Sequence, residues 1–180
     1  MDHFNYRDGR LWCERIPASD LAEQFGTPTY VYSKATLVEH YDRLKQAFAG
    51  ADPLICYSIK SCQNLAVCRT LVQRGAGMDV VSGGELERAW LAGCDMQKVV
   101  YAGVGKTDAE IRAALDGSHS PFAGHRAPDG RRPEERGPIG WFNIESEQEF
   151  ENVSRIAGEL GVSARAALRI NTDVDPKTHR

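Results

Sequence analysis

A strand–helix rhythm limits what this chain can fold into more than any other feature. Short β-branched runs alternate with longer stretches of helical period along most of its 180 residues. Strands are predicted at residues 29–32, 54–59, 78–81, 99–102, 141–144 and 164–170. Between them, apolar residues recur at helical spacing. Leu37, Tyr41, Leu44 and Phe48 form one such face after Ser33, a residue type that caps helices. Leu65, Cys68, Leu71 and Val72 form the next, and further helices are predicted at residues 84–91, 108–115 and 147–160.

Strand starts fall near residues 54, 78, 99, 141 and 164, in steps of 24, 21, 42 and 23 residues. The double step contains residues 117–138, where Pro121, Pro128, Pro133 and Pro138 exclude a regular helix or central strand. This stretch reads as a surface insertion of about 20 residues, and the rhythm closes without it. Alternation at this period implies an α/β fold with parallel strands and helices packed outside them. Periodicity alone leaves an open doubly wound sheet and a closed barrel equally available. An eight-fold β/α barrel takes roughly 250 residues, so on the barrel reading this chain is part of one.

With 42% hydrophobic and 26% charged residues the composition is that of an ordinary globular protein. A net charge of -3 offers no electrostatic basis for binding nucleic acid or a membrane surface. The polar start, Met1 to Tyr6, has no apolar signal core, and no apolar run reaches the roughly 18 residues of a membrane span. A cytoplasmic location is expected. Cys13, Cys56, Cys62, Cys68 and Cys94 are odd in number and contain no CxxC pair, which points to free, buried or half-buried thiols. His3, His40, His119, His125 and His179 lack metal-ligand spacing, so no metal is expected.

Lys60 directly follows a predicted strand, at the edge where parallel α/β folds place their active sites. A lysine there is either a solvated strand-end residue or an amine that forms a Schiff base with a carbonyl compound. Asp79 lies inside the next strand, where carboxylates are uncommon and need a partner: Lys60, a cationic imine or the backbone. Ser82-Gly83-Gly84-Glu85 is either a tight strand-to-helix turn or a close approach to a ligand, and Glu85 sits in the first helical turn, where a carboxylate is favourable. Gly105-Lys106-Thr107 resembles the end of a phosphate-binding P-loop, but that pattern requires glycine where Val100 stands. Arg169, flanked by apolar residues near a strand's end, reads as a bidentate binder of carboxylate or phosphate, or as a structural ion pair.

Six segments in order resemble the diaminopimelate decarboxylases, of the alanine-racemase-like, fold-type III group that uses pyridoxal 5'-phosphate (PLP). They are Phe25-Gly26-Thr27-Pro28 with Thr29 to Tyr32, Cys56-Tyr57-Ser58-Ile59-Lys60, the run from Gly75 to Leu86, the run from Tyr101 to Thr107, Trp141-Phe142-Asn143-Ile144-Glu145-Ser146, and Leu168-Arg169-Ile170-Asn171 with Thr172 to Asp175. The resemblance covers nearly the whole chain outside residues 117–138. It implies that Lys60 forms the internal aldimine with PLP and that Asp79, Glu85 and Arg169 surround the cofactor. It also implies a (β/α)8 TIM-like barrel, with residues 1–32 contributing to a separate β-domain and residues 33–180 forming an incomplete PLP-binding barrel. The implied reaction is decarboxylation of meso-2,6-diaminopimelate to L-lysine and CO2 by a homodimer whose active sites form between subunits. Ornithine, arginine or carboxynorspermidine decarboxylases are alternatives in the same group, and a non-catalytic truncated paralogue is an alternative of another class. Ser61-Cys62 replaces the family's Ala-Asn after the lysine, and Thr172 stands where proline is common. The family's cofactor-stacking histidine, main glycine-rich phosphate loops and partner-subunit cysteine are expected beyond Arg180.

Overall fold

The structure is a computed structural model that describes residues 3–116, 126–132, 135 and 137–174. His119, His125, His179, Asp175 and the first part of the 117–138 stretch lie outside the described residues.

Two sheets form. The first is a small antiparallel sheet of β1 (Phe4–Arg7), β2 (Arg10–Cys13) and β3 (Ile16–Pro17), followed by α1 (Ala18–Phe25). Asp8 and Gly9 both have positive φ, the requirement of the tight turn that joins β1 to β2. Glu14 anchors this sheet to α2 (Lys34–Ala47): its Oε1 accepts the Ser33 hydroxyl at 2.8 Å and the Ala35 N–H at 2.9 Å, while Ser33 Oγ caps Thr36 N. The strand predicted at residues 29–32 does not form. The segment pairs with neither sheet, and Tyr30 is 90% exposed.

The second sheet is parallel, in the order β4 (Cys56–Ser58), β5 (Gly77–Val80), β6 (Val99–Tyr101), β7 (Trp141–Ile144) and β8 (Ala166–Leu168). The connecting helices are α3 (Leu65–Gln73), α4 (Gly83–Leu91), α5 (Asp108–Asp116) and α6 (Glu147–Leu160). Each strand is added beside the one before, and consecutive helices touch. A doubly wound sheet reverses its order at a switch point and places helices on both faces. Unreversed order with a single helical layer is the winding of a β/α barrel, here a partial one. β4, β6 and β8 are shorter than their apolar runs predict, because pairing stops where the chain bends into the turns. Lys60 therefore stands in a 3₁₀ turn, Ile59–Ser61, and Arg169 just past β8.

The sheet's outer face carries Met78, Val80, Val99, Tyr101, Phe142 and Ile144, all buried beneath Leu86, Trp90, Ile111 and Ile156 of the helices. All five cysteines are free, three of them buried and two half-buried, as expected, and burial pushes the Cys94 thiol up to about 12. Part of the 117–138 stretch is not superficial. Ala127 is 4% exposed within the core cluster, Arg131 lies over the Trp90 ring at 4.7 Å, and Gln97 donates to the Pro138 carbonyl. The prolines do not prevent packing of the described residues there.

Three successive strand-to-helix turns carry the pattern Ser/Thr-x-x-Glu: Ser82 to Glu85, Thr107 to Glu110 and Ser146 to Glu149. In each, the hydroxyl accepts the glutamate's N–H and the carboxylate reaches back to a backbone N–H at the start of the turn, that of Val81, Thr107 or Glu145. These are capping boxes, which satisfy helix-end donors left without an internal partner. Here each glutamate also grips the preceding unit. Glu85 accepts from Gln63, Glu110 from Gly83 N at 2.7 Å, and Glu149 from Lys106 Nζ. The Lys106 side chain is fully buried and also donates to the carbonyls of Gly103 (2.8 Å) and Asn143 (3.0 Å).

Removing one member of a buried ion pair strands the other's charge. Lys106→Met is expected to cost about 3–5 kcal/mol in urea denaturation of the intact protein, and Lys106→Met with Glu149→Leu to recover much of that loss. Glu110 carries a pH-dependent counterpart. Burial pushes its carboxyl upward, but the N–H groups of Thr107 and Gly83 and the Thr107 hydroxyl outweigh it and hold the carboxyl below its ordinary value of 4.5. A folded-state value below the unfolded one adds stability above pH 4.5 that is lost as pH falls through the folded value. The urea midpoint is expected to fall on acidification below that point, and to fall less in Glu110→Gln.

Candidate active site

Side chains alternate between the faces of a strand, and registered residues of parallel strands share a face. Ser58 is registered with Asp79, Asp79 with Val100, and Asn143 with Ala167. Stepping by two from these positions reaches Lys60, Ala102, Glu145 and Arg169. These residues line a cavity of about 580 Å³ on the sheet's inner face, together with Cys56. A second hollow of about 600 Å³, between Ile144, Phe150, Leu168 and Ile170, shares Glu145 and Arg169 with the first and contains no lysine. The amine-bearing cavity is the one equipped for chemistry.

Lys60 is presented by a turn with its own fastenings. The Ser61 hydroxyl donates to the Ser58 carbonyl at 2.7 Å, the Tyr57 hydroxyl donates to the Cys62 carbonyl at 3.1 Å, and Cys62 N donates to the Ile59 carbonyl at 3.0 Å. The serine that departs from the family's alanine thus tightens the turn beside Lys60. Asp79 accepts the Ser58 hydroxyl at 2.9 Å, so the hydrogen bond that satisfies it comes from the neighbouring strand.

Arg169 enters the same cavity and pairs with Glu145, Nη1 to Oε2 at 2.9 Å. The other oxygen of Glu145 accepts the Gly103 N–H at 2.8 Å. The Gly103 N–H and, beyond it, the Arg169 guanidinium hold the Glu145 carboxyl below its ordinary range, against a smaller opposing effect of burial. Gly103 has φ of 98°, and a Cβ there would stand 3.3 Å from the Val81 carbonyl oxygen, so a glycine lets this turn approach its neighbour.

Of the residues singled out in the sequence, Lys60, Asp79 and Arg169 are brought together. Glu85 is not: its carboxylate is taken up by Val81 N and Gln63 in the capping box, and it does not line the cavity. Asn143 and Glu145 line the cavity without having been singled out. Their signal was face parity, two and four residues along from Trp141, which is readable only once β7's register is known. Lys106 of the glycine-rich turn is an internal tie rather than a phosphate ligand. Among the described residues no cluster of metal-ligating side chains occurs, and no helix is long and apolar enough to cross a membrane.

The cavity's donor set fits an amine-linked anionic carbonyl cofactor. It offers one primary amine, a guanidinium for an anion and two carboxylates to balance positive charge.

Comparison with known proteins agrees. Residues 34–180 match the family model described as pyridoxal-dependent decarboxylase, pyridoxal binding domain. The chain is 47% identical over 180 residues to diaminopimelate decarboxylase of Vibrio cholerae and 42% identical over 177 residues to that of Aquifex aeolicus. These alignments cover 99% and 98% of this chain but 38% and 37% of the relatives. Among solved structures, a protein from Aquifex aeolicus superposes with a TM-score of 0.79 at 40% identity, covering 95% of this chain and 37% of that one. Diaminopimelate decarboxylase from M. jannaschii in co-complex with L-lysine gives 0.78 at 35% identity, covering 98% and 37%. The chain thus spans well under half the length of the relatives it matches, and it belongs to the pyridoxal-dependent decarboxylases, whose pyridoxal-binding domain occupies residues 34–180.

Proposed function

We propose that the full-length protein decarboxylates meso-2,6-diaminopimelate to L-lysine and CO2 with pyridoxal 5'-phosphate, and that Lys60 is the amine to which the cofactor attaches. One observation carries this reading: Lys60, Asp79 and Arg169, from three separate strand ends, meet in one cavity. The identity to diaminopimelate decarboxylases supports the substrate, as does the L-lysine complex of the M. jannaschii relative.

When bound, PLP supplies an electron sink for the bond between Cα and the carboxylate. The chain's own residues attach, orient and balance charge. The Lys60 turn, fastened by Tyr57 and Ser61, limits where Nζ can go. The Ser58 hydroxyl occupies Asp79 Oδ2 and so orients that carboxylate in the cavity, where it stabilises positive charge. Arg169 presents N–H donors to a phosphate or carboxylate. Glu85 acts one layer back, holding the turn after β5. Residues 1–32 belong to the β-domain side of the protein, the active form is a cytoplasmic homodimer, and partners other than small amino-acid substrates are not expected.

Borohydride reduction of the full-length holoprotein followed by peptide mapping is expected to place the pyridoxyl group on Lys60. Lys60→Ala is expected to lower kcat on meso-diaminopimelate roughly a thousandfold or more, as when a covalent nucleophile is removed. A label on another lysine overturns the assignment of Lys60. Faster turnover of ornithine or arginine than of meso-diaminopimelate overturns the substrate. Absence of both label and turnover favours a non-catalytic paralogue.

A further inference from the structure

We propose that Glu145 is a positioning residue of the Lys60 cavity: it fixes the Arg169 guanidinium that receives the anionic group of cofactor or substrate. This rests on the function proposed above and assigns a role to Glu145, which lies in the family-like run Trp141 to Ser146 but was given no role there.

The geometry sets a direction of control. Glu145 is held at three points. Its Oε1 accepts Gly103 N–H at 2.8 Å, its Oε2 meets Arg169 at 2.9 Å, and its own N–H is bound by Glu149 Oε2 at 2.9 Å. Glu149 is in turn paired with buried Lys106, which also binds the Gly103 carbonyl. Among the described residues the Arg169 side chain bonds Glu145 and no other group, whereas the Glu145 carboxylate is also tied to the Gly103 backbone. The carboxylate is the better-held member of the pair, so Glu145 sets where Arg169 stands.

The chemistry gives that placement a use. A guanidinium carries five N–H donors, and the bond to Glu145 engages one nitrogen, leaving donors to meet a ligand oxygen pair. Glu145 also supplies a countercharge in a cavity that holds two cations, Lys60 and Arg169. Without it, Asp79 is the one carboxylate left among the described residues that line the cavity, and an anionic ligand has to organise Arg169 on binding. The expected consequence is weaker ligand affinity at little cost to the fold.

Glu145→Gln separates this role from a structural one. The glutamine carbonyl still accepts the Gly103 N–H, so the turn survives, but the amide nitrogen facing Arg169 cannot accept a hydrogen bond. In the full-length protein, the variant is expected to keep its melting temperature and its borohydride label on Lys60. Its PLP dissociation constant or its KM for meso-diaminopimelate is expected to rise about tenfold or more, with kcat changing less. Arg169→Met is expected to show a similar loss, and the double variant no more than Arg169→Met alone, the mark of two residues acting as a unit. Both constants staying within about twofold of wild type in Glu145→Gln, or losses that multiply in the double variant, overturn the proposal. If Glu145→Gln does not fold, Arg169→Met decides alone: unchanged affinities leave Glu145 nothing to position. A wild-type label away from Lys60 instead removes the underlying functional reading, so the two failures are distinct.

Discussion

The hydrogen bond that a turn's backbone N–H donates to its capping glutamate is the interaction on which the cavity-bearing edge of the sheet depends. The parallel strands β4 to β7 each give way to a helix after a short turn, leaving N–H groups at the new helix start without internal partners. Three of these turns solve the problem in the same way, with Ser82 and Glu85, Thr107 and Glu110, and Ser146 and Glu149. Because each glutamate has a second oxygen, it can also hold a group from the neighbouring unit: Gln63, Gly83 or Lys106. Turns that would otherwise move independently become a linked rim. Lys60, Asp79 and Arg169 are set on that rim or directly beneath it, and their separation is maintained by the links rather than by contact with one another.

This arrangement explains which residues were legible in the sequence. The parallel α/β fold followed from apolar periodicity, and most element boundaries agree with it. Lys60 and Asp79 stood out because a charged residue at a strand end or within a strand is uncommon, and Arg169 for the same reason. Asn143 and Glu145 did not stand out, because a polar residue in a short strand is informative only when the face it points to is known. That depends on which residue of β6 pairs with Trp141, a tertiary fact. Ser82-Gly83-Gly84-Glu85 carried two compatible meanings, a ligand approach and a capping box. The N–H groups of the helix start are present in every state of the folded chain, and Glu85 is taken up by them.

The N-terminal region illustrates the opposite errors. Residues 29–32 have strong β character yet join neither of the two described sheets, and strand propensity describes fitness for a half-buried pleated surface rather than a guarantee of pairing. Residues 4–13 have a weaker apolar pattern yet pair fully, with Asp8 and Gly9 supplying the positive-φ turn that fixes their register. The Asp8-Gly9 pair was a turn signal left unread in the sequence. In the 117–138 stretch, composition carried no information on the burial found among its described residues. Ala127 joins the core cluster, and the Arg131 guanidinium lies over the Trp90 ring of α4, without any periodic pattern.

The buried Lys106–Glu149 pair shows why such a rim is not made from apolar residues. Two charges taken out of water give up hydration that their mutual attraction need not restore, and a well-packed apolar pair of similar volume is often as stable. Stability alone therefore does not account for this pair. What an apolar pair cannot do is donate to two carbonyls and accept a backbone N–H at once. Lys106 binds the carbonyls of Gly103 and Asn143, and Glu149 binds the N–H of Glu145, so one ion pair sets the backbone on both sides of the cavity's inner wall. The carboxylate of Glu145 inherits its position from those backbone bonds, and Arg169 inherits its position from Glu145. The buried charges thus convert part of their desolvation cost into direction, carried from the protein interior to a guanidinium at the cavity surface.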